Sequence, residues 1–216
     1  MNMIFISGGR IDSDFALDFI KKHNEDTIVA IDRGLQFCSK KGIRPHYIVG
    51  DFDSLSPGIL ENYESDPDIY IRHLKPEKDD SDTESAFHLA LDMGADTIYL
   101  LGATGSRMDH MMANLQLLVY GVQKGVLIYL IDPNNKITAL TRSVTLKKAE
   151  QYGNYVSFFS WGDEVTDFTL KGFKYPLNHY HLTNTSCGLS LSNEIAEDQA
   201  EVHFESGVLL MIQSKD

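Results

Sequence analysis

The sequence predicts an α/β protein: an N-terminal open, mainly parallel α/β sheet domain over residues 1–135, then a smaller C-terminal β-sandwich domain over 136–216. Three observations carry that reading. Short apolar runs alternate with helix-spaced segments up to residue 132. The run Asp132-Pro133-Asn134-Asn135 reads as a turn. Beyond it lie only short β-rich pieces punctuated by Gly, Asn and Asp, without an amphipathic helix.

The strand expectations in the first part are Met3–Ser7, Thr27–Ile31, Tyr47–Val49, Ile69–His73, Thr97–Leu101 and Val126–Ile131. Helical spacing separates them, as in Phe15/Phe19 with Ala16/Ile20, and in Ala86, Leu89, Ala90 and Met93. A further helix runs through Ala113, Leu117, Leu118 and Tyr120. Buried strands alternating with helices predict helices on both faces of the sheet. In the second part the pieces are Tyr155–Phe159, Phe168–Leu170, Val202–Phe204 and Val208–Ile212.

Composition bounds the function. Of 216 residues, 43% are hydrophobic and 23% charged, ordinary for a globular chain. No apolar run approaches the ~18 residues of a membrane span. The run Met3–Ile6 is too short for an export signal, so the expected compartment is the cytoplasm. Cys38 and Cys187 lie too far apart for a disulfide framework or a zinc spacing, and read as buried small hydrophobes. A net charge of −12 argues against a nucleic-acid surface. The carboxylates cluster at Asp51 and Asp53 and from Asp79 to Glu84, each time after an apolar run.

Ligands of open α/β sheets sit at the carboxyl ends of the strands, so four loops are candidates. Ser7-Gly8-Gly9-Arg10 offers two glycines for close approach of a phosphate before a helix N-terminus. By itself it reads first as a tight strand-to-helix turn. In Gly50-Asp51-Phe52-Asp53-Ser54, two carboxylates spaced i, i+2 can face one hard cation, or the segment can cap a helix. In Lys78-Asp79-Asp80-Ser81-Asp82-Thr83-Glu84, Ser81 and Glu84 form a capping box. A cap does not require Asp79 and Asp82 as well. Two carboxylates about 4 Å apart repel by ~4 kcal/mol at an effective dielectric of about 20, so converging acidic loops call for Mg²⁺. Gly102 to His110 joins glycines and small hydroxyls to Arg107, a forked phosphate donor. Asp109 there can take a ribose or base donor, or cap the next helix.

These residues together resemble the thiamine pyrophosphokinase family. The resemblance is carried by Asp32-Arg33-Gly34, Gly42-Ile43-Arg44-Pro45, Ile48 to Ser54, Lys78-Asp79-x-Ser81-Asp82, Gly102 to His110 with Ala113-Asn114, Gly172 to Leu177, Ser190-x-Ser192-Asn193-Glu194 and Gly207 to Leu210. The matches run in order from residue 4 to 212. The resemblance implies an N-terminal nucleotide domain, a C-terminal β-sandwich, and a homodimer with thiamine held near the subunit interface. It implies Mg²⁺ on Asp51, Asp53, Asp79 and Asp82, which are also the catalytic carboxylates, with ATP as co-substrate. Gly8, Gly9, Asp32, Gly34, Gly102, Arg107 and Asp109 correspond to nucleotide contacts; Tyr175, Ser190, Ser192 and Asn193 correspond to the thiamine side. Two departures stand out: Tyr175 where some members carry Trp, and His46 where Asp is frequent.

The implied reaction is attack of the thiamine hydroxyl on the β-phosphorus of ATP, helped by positioning and electrostatics, with Asp82 as the proton acceptor. Two other readings use part of the same residues. A phosphohydrolase would take Asp51 as nucleophile and Asp53 as acid, and a nucleotide or thiamine sensor would use the loops without turnover. His179-x-His181 reads as a half-exposed strand pair rather than a metal motif.

Overall fold

Apolar runs along the first part of the chain become six parallel strands: β1 (Asn2–Ile6), β2 (Thr27–Ile31), β3 (Tyr47–Gly50), β4 (Tyr70–His73), β5 (Thr97–Leu101) and β6 (Leu127–Ile131). This computed structural model describes every residue except 76–79, 106 and 187. The chain divides into one unit of Met1–Leu117 with Lys124–Pro133, and another of Leu118–Gln123 with Asn134–Asp216.

In the first unit the strand order is β4-β3-β2-β1-β5-β6, and every neighbouring pair is parallel. The winding direction reverses between β1 and β5, which is where a doubly wound sheet opens a crevice for ligand. β1 is central, and Met3 to Ile6 are at most 1% exposed, the expected state of a strand covered on both faces. The helices begin and end by ordinary chemistry. α1 (Ser13–Lys22) is capped by the Asp12 carboxylate, which accepts the Phe15 N–H at 2.9 Å, and Lys21 and Lys22 sit at its negative end. α2 spans Gly34–Lys41 and the short α3 spans Glu61–Glu64. α4 (Asp82–Asp92) starts from the Ser81 cap expected from sequence, its hydroxyl accepting the Glu84 N–H at 3.2 Å. α5 spans Met108–Gln123.

His46 has a structural task. Its Nδ1 accepts the Ile28 N–H at 2.9 Å, while its own N–H donates to the Ile28 carbonyl at 2.9 Å. The position requires an acceptor for one backbone N–H where β2 meets β3, and an imidazole nitrogen or a carboxylate supplies it equally. The departure from Asp is thereby accounted for.

The second unit is a sandwich of two antiparallel sheets. Its strands are β7 (Asn135–Leu140), β8 (Val144–Lys147), β9 (Tyr155–Ser160), β10 (Glu164–Lys171), β11 (Leu177–Thr183), β12 (Gln199–His203) and β13 (Leu209–Ser214). One layer runs β7-β13-β9 and the other β11-β10-β12-β8. Leu140, Val156, Phe158 and Leu209 from the first layer pack with Phe168, Leu170, Leu182 and Val202 from the second. Phe158 meets Phe168 and Phe173 edge-on, with ring centroids 5.6 and 5.7 Å apart, the favoured aromatic geometry.

His179 and His181 lie on β11 and are exposed; each faces a carboxylate of β10, Asp167 and Glu164 respectively. Cys38 is buried, and desolvation pushes its thiol up to about 12, as suits an inert small hydrophobe. Cys187 lies outside the described residues. Among the described residues, no helix is long and apolar enough to cross a membrane.

Candidate active site

Parallel pairing brings the ends of β2 and β3 together. Ile31 pairs with Val49, so Asp32 and the Gly50–Ser54 loop leave the sheet side by side. One carboxylate oxygen from each of Asp32, Asp51 and Asp53 lies within 4.8 Å of the others. Among the described residues this is the one group with metal-holding geometry. Charge crowding registers on Asp53, whose carboxyl is raised above its ordinary value, first by Asp51, with Asp32 and Asp82 adding to the effect. Asp82 is the first residue of α4. Asp79, expected as the fourth carboxylate, lies outside the described residues, as does Lys78.

The loop geometry holds the carboxylates in place. Ser54 Oγ lies 2.9 Å from both oxygens of Asp32, and the Asp53 N–H points to Asp51 Oδ1 at 3.3 Å. Asp32 and Phe52 both adopt left-handed backbone, with φ of 44° and 65°. Such conformations cost a non-glycine residue about 1–3 kcal/mol and cluster where function fixes the chain.

Beside this group, the loops after β1, β2 and β5 meet at the switch point. Gly9 donates to the Gly102 carbonyl at 3.1 Å, and a Cβ on Gly9 would stand 2.2 Å from that same oxygen. A Cβ on Gly34 would stand 1.8 Å from the Ile6 carbonyl. Only glycine allows both approaches. Gly8 packs against the stem of Arg33, and Gly105 against the stem of Arg10. Asn114 fastens the third loop from below, its amide donating to the Ala103 carbonyl at 3.0 Å. Arg107 forks onto Asp109 at 3.1 and 2.6 Å, and Asp109 also accepts the His110 N–H. The Arg107 guanidinium lowers the Asp109 carboxyl to about 2. Both side chains are about two-thirds exposed, so the pair adds little stability and leaves Arg107 within reach of an anion.

In the second unit, the segments around Tyr175 and Ser192 are stitched together. Asn193 is 2% exposed; its Oδ1 accepts from the N–H groups of Tyr175 (3.0 Å) and Glu194 (2.9 Å), and its Nδ2 donates to the Tyr175 carbonyl (2.8 Å). Ser190 is 3% exposed and its hydroxyl donates to the Phe158 carbonyl. Ser192 is exposed at φ 53°, with its N–H on Ser157 Oγ at 2.9 Å. The Tyr175 ring stands 57% exposed on this frame.

Residues 20–130 match the family model for thiamin pyrophosphokinase, catalytic domain, and residues 142–209 match thiamin pyrophosphokinase, vitamin B1 binding domain. The thiamine pyrophosphokinase of Bacillus subtilis is 34% identical over 189 residues, covering 87% of each chain. The chain belongs to the thiamine pyrophosphokinase family. It is an enzyme of the diphosphotransferase class. The crystal structure of the Bacillus subtilis enzyme superposes with a TM-score of 0.88 at 30% identity, covering all of both chains. That of a thiamin pyrophosphokinase family protein from Enterococcus faecalis gives 0.84 at 30%, again over both whole chains. Thiamin pyrophosphokinase from Candida albicans, at 19% identity and a TM-score of 0.80, shares the fold.

Within this thiamine pyrophosphokinase fold, Asp51 and Asp53 lie together with Asp32, Asp82 adds to the charge felt by Asp53, and Gly8, Gly9, Gly34 and Gly102 belong to one set of approaching loops. Asp32 was expected with the nucleotide contacts, and the structure seats it among the carboxylates. Arg10 and Arg33 were not singled out. They rim the glycine loops through contacts that only the fold creates. Of the residues matched to thiamine, Tyr175 and Ser192 are exposed, whereas Ser190 and Asn193 hold the backbone that carries them.

Proposed function

We propose that the protein moves the diphosphate of ATP onto the hydroxyl of thiamine, in the cytoplasm, giving thiamine diphosphate and AMP. The observation that carries this reading is the convergence of Asp32, Asp51 and Asp53 within 4.8 Å beside the glycine loops. The donor set fits Mg²⁺: it is all carboxylate oxygen, grouped at the mouth of a parallel sheet, and its charges repel without a cation. Asp51, Asp53 and Asp82 would hold the ion, with Asp32 beside them and Asp79 as the further carboxylate the family resemblance supplies. Bound there, Mg²⁺ neutralises phosphate charge and orients the reacting oxygens.

The chain's own groups do the rest. Gly8, Gly9 and Gly102 let the triphosphate approach backbone, and Arg10, Arg33 and Arg107 meet its remaining charge. The hydroxyl attacks the β-phosphorus, the bond to the α,β-bridging oxygen breaks, and AMP departs with that oxygen. Asp82 accepts the hydroxyl proton. Tyr175 offers a ring face to the cationic thiazolium.

Incubation with thiamine, ATP and Mg²⁺ should give thiamine diphosphate and AMP in equal amounts. ADP with thiamine monophosphate would reject the β-phosphorus route, and phosphate release without thiamine would favour a hydrolase. The proposal includes a homodimer with thiamine near the subunit interface. Light scattering at micromolar concentration should give twice the 24.3 kDa chain mass, and a monomer would remove the shared site.

A further inference from the structure

The ring of Tyr175 is already occupied. Lys174 Nζ stands over it, 5.6 Å from the centroid, within the range of a cation–π contact. The same ammonium is held by Glu194 Oε1 at 2.6 Å, and the Lys174 N–H donates to the Glu194 carbonyl at 2.9 Å. Asn193 fixes both partners, since its amide binds the backbone of Tyr175 on one side and Glu194 on the other. Ammonium, ring and carboxylate therefore form one pre-set unit within the segment matched to vitamin B1 binding. Lys174 and Glu194 are half-exposed, so their pairing is exchangeable rather than structural.

Thiamine is itself a cation. A thiazolium that stacks on this ring meets an ammonium already there, and beside it a carboxylate that can serve either charge. We propose that Lys174 is a specificity-determining residue: it is a built-in competitor for the Tyr175 ring, and Glu194 becomes the counter-charge of the substrate once the ammonium is displaced. The inference rests on the assignment of Tyr175 to the thiazolium. The consequence is a trade of one cation for another at constant local charge. Uncharged alcohols lack the charge to displace the ammonium and are rejected, and thiamine affinity is held below what the ring and carboxylate alone would give.

Lys174→Met keeps the length of the side chain and removes its charge. Its thiamine KM should fall about three- to tenfold with the ATP KM unchanged. Lys174→Arg, which keeps a cation on the ring, should stay near wild type, and Glu194→Gln should raise the thiamine KM. An isosteric alcohol with an uncharged thiophene in place of thiazolium should gain at least as much with Lys174→Met, which narrows the preference for thiamine, a shift in selectivity that mere support of the loop would not produce. A thiamine KM that rises with Lys174→Met, or an uncharged alcohol that gains nothing from it, would overturn the proposal. Tyr175→Ala separates this from the parent reading. A raised thiamine KM there, with no fall in Lys174→Met, removes the competitor alone; an unchanged one removes the ring, and the competitor with it.

Discussion

Asp53→Asn should lower turnover in saturating Mg²⁺ by ~100-fold or more while the metal-free protein melts at the same or a higher temperature. The substitution preserves shape and leaves the Asp53 N–H on Asp51 Oδ1 in place, so the loop keeps its internal bond. It removes one of three carboxylates grouped within 4.8 Å. Loss of a metal's charge stabilisation and of its orienting effect is worth several kcal/mol, and ~100-fold corresponds to about 2.7 kcal/mol. The stability change has the opposite sign. Asp51, and then Asp32 and Asp82, raise the Asp53 carboxyl above its ordinary value, so the metal-free fold holds that proton more tightly than the unfolded chain does. Its contribution favours the fold below the ordinary carboxylate range and is lost as pH climbs through the raised value. Asp53→Asn abolishes that pH-dependent loss. Melts in EDTA across the acid range, beside initial rates in Mg²⁺, measure both sides. An active but destabilised variant would mean that the loop is a helix cap and would sink the metal assignment.

What was legible before the structure follows from period and burial. β1 to β6 stand within a residue or so of the runs that predicted them. For β1, β2, β3, β5 and β6 this is because a strand largely covered on both faces has little choice but continuous apolar character, whereas β4 is an edge strand with no buried residue. Of β11 only the half-exposed strand pair His179-x-His181 is legible, for the opposite reason. It is an edge strand in which only Leu182 of seven residues is buried, so Asn178, His179, Tyr180 and His181 give no alternation to read. β7 begins at Asn135, inside the run that reads as a turn, and β8 is four residues of weak pattern. The carboxylates divide in the same way. Asp51 and Asp53 are legible from their spacing on one loop. Asp32 joins them only through the parallel register of Ile31 with Val49, a contact between neighbouring strands that no local motif encodes. The signal for it was present as an acidic residue directly after each of two apolar runs. In the second unit Ser190 and Asn193 sit in a motif shared with the thiamine side, but sequence does not separate a residue that faces solvent from one that braces the backbone behind it.

Gly34→Ala should cost ~3 kcal/mol or more, a large share of a typical stability of about 5–15 kcal/mol. Gly34 opens α2 directly against the central strand β1. A Cβ there would lie 1.8 Å from the Ile6 carbonyl oxygen, 2.6 Å from its carbon and 3.2 Å from the Ser7 nitrogen. All three are backbone atoms of, or next to, a fully buried strand, so no rotamer change relieves the clash. The start of α2 must retreat, and Asp32 lies two residues upstream, tied to Ser54 by its carboxylate. For a chain of this size the midpoint should drop by about 6–12 °C, at roughly 2–4 °C per kcal/mol. Gly94→Ala is the comparison. Gly94 has φ 74° but nothing within 4 Å of the added carbon, so only the left-handed strain of ~1–2 kcal/mol applies. Assayed well below both midpoints, Gly34→Ala should also turn over at least ~10-fold more slowly, because a displaced Asp32 loosens the carboxylate group. Gly94→Ala should keep its rate. Equal melting points for the two variants would show that β1 and α2 do not approach as closely as this fold requires. A destabilised Gly34→Ala protein with full turnover would instead remove Asp32 from the chemistry.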